Sequence, residues 1–337
     1  MTEFSNAATL PAIEIYRARR RLAGRLRRTF MATSPSLSQR AGAPVHLKLE
    51  HQQITGSFKL RGATNAVLCL SEEERQRGVV GVSTGNHGRG LAHAAKQAGI
   101  RAIVCMSSLV PKNKVAGIQA LGAEARIVGR SQDDAQAEVD RLVAEEGMVM
   151  LPPFDHPQVI AGQGTLGLEV IEDLPEVETV VVPLSGGGLI AGVALAVKTL
   201  KPDARVVGVT MARGAAMHES LAAGRPVEVE EVPSLADSLG GGIGADNRYT
   251  LALVRDLVDQ TLLVSEACIA QAIRHAYEEE KQVIEGSGAV GIAALRAGLI
   301  ENPGITAVVV SGCNIDLDLH RRIVAGEDVD LAAEEEA

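Results

Sequence analysis

Tryptophan is absent and aromatic residues make up only 2% of the 337-residue chain. The core must therefore be filled by Val, Leu, Ile and Ala. Cysteine is scarce: Cys69, Cys105, Cys268 and Cys313 lie far apart with no C-x-x-C pair. That excludes a disulfide framework and a thiolate zinc site, and it fits a reducing, cytoplasmic setting. Positive charge is in deficit, with a net charge of −9, which argues against a dedicated nucleic-acid binder. The N-terminus carries Glu3 and no apolar core, so it does not read as a signal peptide. No apolar run reads as a membrane span. The uncharged stretch 180–197 is long enough to raise the question, but Pro183 and Gly186-Gly187-Gly188 break it into strand, loop and helix.

Two local exceptions stand out. Arg17, Arg19, Arg20, Arg21, Arg25, Arg27 and Arg28 crowd one segment, over an apolar stripe of Ile13, Tyr16, Leu22 and Leu26. This reads as an amphipathic surface helix. Glu334, Glu335 and Glu336 read as a frayed acidic tail.

What the chain has in abundance is apolar residues (46%) and glycine (35 residues). Short apolar runs at 79–83, 102–106, 125–129, 180–184, 206–210 and 307–311 predict strands. Helical patterns lie between them, at 89–97, 112–121, 132–145, 189–199 and 215–222, and further on at 248–258, 266–279 and 288–299. Continuous apolar strands alternating with helices give an α/β fold with parallel sheets covered on both faces. A division near Leu151-Pro152-Pro153-Phe154 separates a small lobe, 76–154, from a larger one made of 1–75 and 155–337. Ligands in such architectures bind at the carboxyl ends of strands.

The motifs fall at those ends. Gly56-Ser57-Phe58-Lys59-Leu60-Arg61-Gly62 follows a strand-like run and puts Lys59 near a helix start. A cation is disfavoured there, whereas a neutral imine is tolerated. Ser83-Thr84-Gly85-Asn86-His87-Gly88 offers free amides for a carboxylate, and Asn86 offers a donor and an acceptor. His87 reads as an acid, a base or a hydrogen-bonded structural group. Ser185-Gly186-Gly187-Gly188-Leu189 lets several amides converge on one phosphate. Gly186, Gly188 and Ala191 also meet a dinucleotide spacing, but the following strand ends in Thr210 without the ribose-binding acid. Ser311-Gly312-Cys313-Asn314 places a hydroxyl at the end of a buried strand. Gly240-Gly241-Gly242-Ile243-Gly244 and Glu285-Gly286-Ser287-Gly288 permit close approach to a flat ligand.

The order S-F-K-x-R-G, S-x-G-N-H-G, S-G-G-G-L, E-x-x-G and S-G-x-N resembles the pyridoxal-phosphate-dependent threonine dehydratase and serine racemase family, from about residue 15 to 325. The resemblance implies a two-lobed tryptophan synthase β-like fold (fold type two) and the cofactor pyridoxal 5'-phosphate. It implies that Lys59 carries the cofactor as a Schiff base and serves as the base that takes the α-proton, with Ser83 and Thr84 as further catalytic residues. Phe58, Asn86, Gly186, Gly187, Gly188, Leu189, Gly241, Glu285 and Ser311 would bind the cofactor. Ser83, Thr84, Gly85, Asn86 and His87 would hold an amino-acid substrate. Water would be eliminated from a 3-hydroxy amino acid to give a 2-oxo acid and ammonia.

Three departures matter. Thr84 stands where racemases carry serine, Thr210 and Ala216 replace the acids of a divalent-cation site, and Cys313 replaces a glycine. No metal is expected. The 211–218 and 236–244 segments look most like hydroxyectoine-utilisation dehydratases, which implies a 3-hydroxy-2,4-diaminobutyrate-type substrate. L-threonine or L-serine dehydration, and a serine or hydroxyaspartate racemase-lyase, are the alternatives. The resemblance also implies a homodimer; no nucleic-acid or membrane partner is expected, and no residues remain for a C-terminal amino-acid-sensing domain.

Overall fold

A computed structural model describes residues 10–83, 85–110 and 112–335. Among the described residues, ten strands form two sheets: β1 (Met31–Thr33), β2 (Val45–Lys48), β3 (Val79–Val82), β4 (Ala102–Met106), β5 (Glu124–Ile127), β6 (Val149–Met150), β7 (Thr179–Pro183), β8 (Arg205–Met211), β9 (Gln260–Val264) and β10 (Thr306–Val309). The larger sheet has the order β1-β2-β10-β7-β8-β9, and the smaller has β5-β4-β3-β6. Every pairing is parallel except β1 with β2.

The valine-rich runs explain this burial. In β7, Val181 faces one hydrophobic core with Val207 and Val308, while its neighbour Val180 faces another with Val206 and Ala307. A strand covered on both faces needs apolar residues at every position. Burying each such valine contributes about 1.5–3 kcal/mol, so a charge at Val181 would break the sheet.

Register puts the functional loops side by side. Thr306 lies opposite both Val45 and Thr179, so β2, β10 and β7 end near one level. The loops that leave those ends are then tied together. Ser57 bridges Gly312, and the Phe58 amide donates to the Ser311 carbonyl at 3.0 Å.

Several sequence expectations need correction. The helix Pro157–Asp173 was not anticipated, because Gly162, Gly164 and Gly167 obscure its pattern. Those glycines are sites of close helix packing: a Cβ at Gly162 would lie 2.7 Å from the Arg61 carbonyl, and one at Gly164 2.9 Å from that of Gly192. β9 was also missed; its residues are mostly half-exposed and lack a continuous apolar run. The N-terminal helix Ile13–Leu22 buries Ile15, Ala18 and Leu22, while Ile13 is exposed. Its Arg19 pairs with Glu172, as does Arg28 beyond the helix end, the latter at 2.7 Å. The acidic tail is not wholly frayed, because Glu334 lies in the helix Leu331–Glu335 and pairs with Arg322.

Candidate active site

The helix Lys59–Leu68 begins at Lys59, with Phe58 at its N-cap and no side-chain cap. Beneath it lies a closed ionic network. Arg61, 2% exposed, donates to both Glu50 oxygens at 2.7 Å and to Glu169 at 2.7 and 2.9 Å. Lys48 pairs with Glu169 at 2.9 Å and with Asp173 at 3.1 Å. The network anchors the first turn of the helix and so fixes where Lys59 projects.

Among the described residues, Lys59 has no carboxylate partner within ion-pair distance. Its Nζ donates to the Pro153 carbonyl at 3.0 Å and lies 5.4 Å from the centre of the Phe58 ring. Burial pushes its ammonium down to about 8, and the Glu285 carboxylate opposes that shift only in part. A lysine made neutral near physiological pH is a nucleophile and a base.

The amine opens into a cleft of about 460 Å³, bordered by Asn86, Phe154, the 185–189 loop, Ser238, Glu285 and Ser311. At the loop after β7, Gly187 adopts φ +87° and the helix Gly188–Leu200 starts without a side-chain cap. A Cβ at Gly187 would lie 2.8 Å from the Met217 Cε, and one at Gly188 2.9 Å from the Phe154 backbone. The first-turn amides lack carbonyl partners within the helix. They form an anion cradle fit for a phosphate.

Across the cleft, Glu285 organises the polar wall. It accepts from Asn86 Nδ2 at 2.7 Å and from the Asn314 amide at 2.8 Å. Asn314 Nδ2 donates to Asn86 Oδ1 at 2.5 Å, leaving the second hydrogen of the Asn86 amide group for a ligand. A Cβ at Gly312 would lie 2.3 Å from Glu285 Oε1, so only glycine admits this carboxylate. Burial, with Asp237 adding to it, pushes Glu285 up to about 7. Ser311 Oγ donates to the Ser287 carbonyl at a long 3.4 Å, and Ser287 Oγ is buried with no partner among the described residues. Together the anion cradle, the desolvated amine and the orphaned Ser287 hydroxyl fit pyridoxal phosphate: the 186–189 amides would hold its phosphate and Lys59 its aldehyde carbon.

Not every expected residue comes to this cleft. Gly241 adopts φ +94° and lines a neighbouring pocket with Glu231 and Arg213. The short 3-10 turn Asp237–Leu239 presents Ser238 and Leu239 to the cleft in its place. His87 is buried with Nε2 at 2.8 Å from the Leu151 carbonyl, and burial followed by the Lys59 charge lowers it to about 4. The ring is neutral and held by the Leu151 carbonyl, and the His87 amide lies at the start of the helix Asn86–Ala98. Gly85 caps that helix without a side chain. Ser83 sits at the loop entrance, its carbonyl 2.0 Å from where a Cβ at Gly88 would lie. Thr84 lies outside the described residues. The sequence reading assigned no role to Ser287, Ser238 or Phe154. Only Ser287 had a signal, its place beside Glu285 in a glycine-rich turn.

The site therefore defines a pyridoxal-phosphate enzyme, and the comparisons agree. The family described as "Pyridoxal-phosphate dependent enzyme" matches residues 22–312, and the chain belongs to it. A Sinorhizobium fredii protein provisionally named a threonine dehydratase is 60% identical, over 97% of this chain and 98% of its own length. The L-threonine ammonia-lyase of Thermotoga maritima is 44% identical, over 92% of this chain and 77% of its own. The solved structure of maize serine racemase superposes with a TM-score of 0.88 at 34% identity, covering 94% of this chain and 96% of that one. The protein is a lyase that uses pyridoxal 5'-phosphate.

Proposed function

We propose that the chain removes water from a 3-hydroxy amino acid and releases a 2-oxo acid and ammonia. The observation that carries this reading is the Lys59 amine, desolvated and without a carboxylate partner among the described residues, beside an uncapped glycine loop. When bound, the cofactor supplies an aldehyde carbon for amino groups and a conjugated ring that stabilises negative charge at Cα.

The chain's residues do the rest. Lys59 would hold the cofactor, and its free amine would take the α-proton as general base. Ser83, Thr84, Gly85, Asn86 and the His87 amide receive the substrate carboxylate at the helix start. The Glu285–Asn86–Asn314 triad fixes the Asn86 side chain, which with Phe58 and Ser311 would hold the cofactor ring. Ser311 contributes a neutral hydroxyl rather than a carboxylate, so charge at Cα is directed towards expelling the β-hydroxyl. Loss of water leaves an enamine, which hydrolyses to the 2-oxo acid and ammonia.

For the substrate, our reading is a 3-hydroxy-2,4-diaminobutyrate-type acid from hydroxyectoine use. L-threonine or L-serine is the second reading, favoured by the names of the relatives above. The racemase-lyase alternative is favoured by the similarity to maize serine racemase. We further infer a cytoplasmic homodimer in which residues 76–154 form a substrate-side lobe on a cofactor-binding body of 1–75 and 155–337.

Purified enzyme offered the three amino acids tests this. Ammonia and 2-oxo acid from the diamino acid, well above the other two, support the specialised substrate. Turnover confined to threonine or serine removes that substrate and keeps the reaction. No ammonia from any of them defeats the proposal.

A further inference from the structure

Beside the cofactor cleft, and sharing Glu285 with it, lies an open pocket of about 1170 Å³. Arg89 lines it, from the helix Asn86–Ala98 that also presents the carboxylate-binding amides. A guanidinium carries five donors and wants a planar anion. Among the described residues nothing accepts from Arg89, and its Nε is buried without a partner. The acids of the same pocket are engaged elsewhere: Glu285 with Asn86 and Asn314, Asp237 with Ser238, and Asp316 with the Asp318 and Leu319 amides. Gly117 makes room for the guanidinium, since a Cβ there would lie 3.0 Å from Arg89 Nη1. Leaving a buried donor unmade is costly, and a carboxylate from outside the chain removes that cost.

We propose that Arg89 binds a carboxylate of the amino-acid substrate. This rests on the reaction proposed above. The carboxylate has two possible sources, the α-carboxylate shared by all substrates or a second one on the side chain of a 3-hydroxydicarboxylic amino acid.

The test uses holoenzyme, wild type and the variants Arg89→Met, Arg89→Lys and Gly117→Ala. Binding of α-methylserine, which has no α-proton to lose, is measured by calorimetry. KM and kcat are measured with L-threonine and 3-hydroxyaspartate. A charge-assisted pair predicts that Arg89→Met weakens binding about 10–100-fold, mostly through KM, with the cofactor band and Tm unchanged. Arg89→Lys restores part of the loss, and Gly117→Ala gives a smaller one. Equal KM losses for both substrates, with weaker α-methylserine binding, assign the α-carboxylate. A loss confined to 3-hydroxyaspartate assigns the side-chain carboxylate. Unchanged binding and KM in Arg89→Met overturn the proposal. If no hydroxy amino acid is turned over yet α-methylserine binding still depends on Arg89, the reaction falls and this assignment stands.

Discussion

Lys59 and Arg61 stand two residues apart on one helix turn and have opposite surroundings. Arg61 is saturated, with four hydrogen bonds to two carboxylates and a fifth to Thr165. Lys59 has one hydrogen bond among the described residues, to a carbonyl, and an ammonium lowered to about 8 by burial. A buried cation that is fully paired holds structure; one left underpaired is disfavoured as a cation and is thereby made reactive. The same contrast separates the ends of helices. Ser131 caps the helix Gln132–Glu146 with its own side chain, whereas the helices at Gly188 and Asn86 begin uncapped at the cleft.

The contrast can be broken at either residue. Lys59→Ala is expected to lower turnover by at least about 10⁴-fold, since one group serves as both nucleophile and base. Its thermal midpoint should stay at or above that of wild type, because a costly buried charge is removed; a marked fall in Tm would show that Lys59 is structural. Arg61→Met should do the reverse and cost about 3–5 kcal/mol of stability, because Glu50 is left buried and unpaired. Urea unfolding measures this, and a loss below about 1 kcal/mol would show the network to be dispensable.

Smaller effects sharpen the comparison. Gly187→Ala forces a side chain into a left-handed backbone and against Met217, and should weaken cofactor binding about tenfold at a cost of roughly 1–2 kcal/mol. Fluorescence titration of the apoenzyme reads it, and unchanged affinity would remove the loop from the phosphate site. The pH dependence is subtler. Lys59 is neutral above its lowered value, so the rate at which apoenzyme takes up cofactor should rise with pH and level off above about 8. Because Glu285 raises Lys59, Glu285→Gln should move that midpoint to lower pH. A midpoint that stays put would mean that Glu285 does not sense the amine.

Much of this was legible in the chain. Lys59, the glycine loop and Asn86 come together because each motif leaves the carboxyl end of a buried parallel strand, and strand runs and motif spacing are local signals. The helix Pro157–Asp173 was not legible, because its glycines mark tertiary contacts with Arg61 and Gly192 that no local pattern encodes. Gly241 was misplaced for a related reason: a glycine-rich segment shows freedom to turn but not the direction of the turn. The carbonyl that holds the His87 ring, that of Leu151, lies more than sixty residues away in sequence, beyond any local pattern.

The central claim is that Lys59 is the amine that carries the cofactor. Purified holoenzyme reduced with borohydride, digested and mapped by mass spectrometry tests it directly. The account predicts one pyridoxyl-phosphate adduct, on the peptide containing Lys59 and absent from Lys59→Ala. An adduct on another lysine, or none after reconstitution with pyridoxal phosphate, would contradict it.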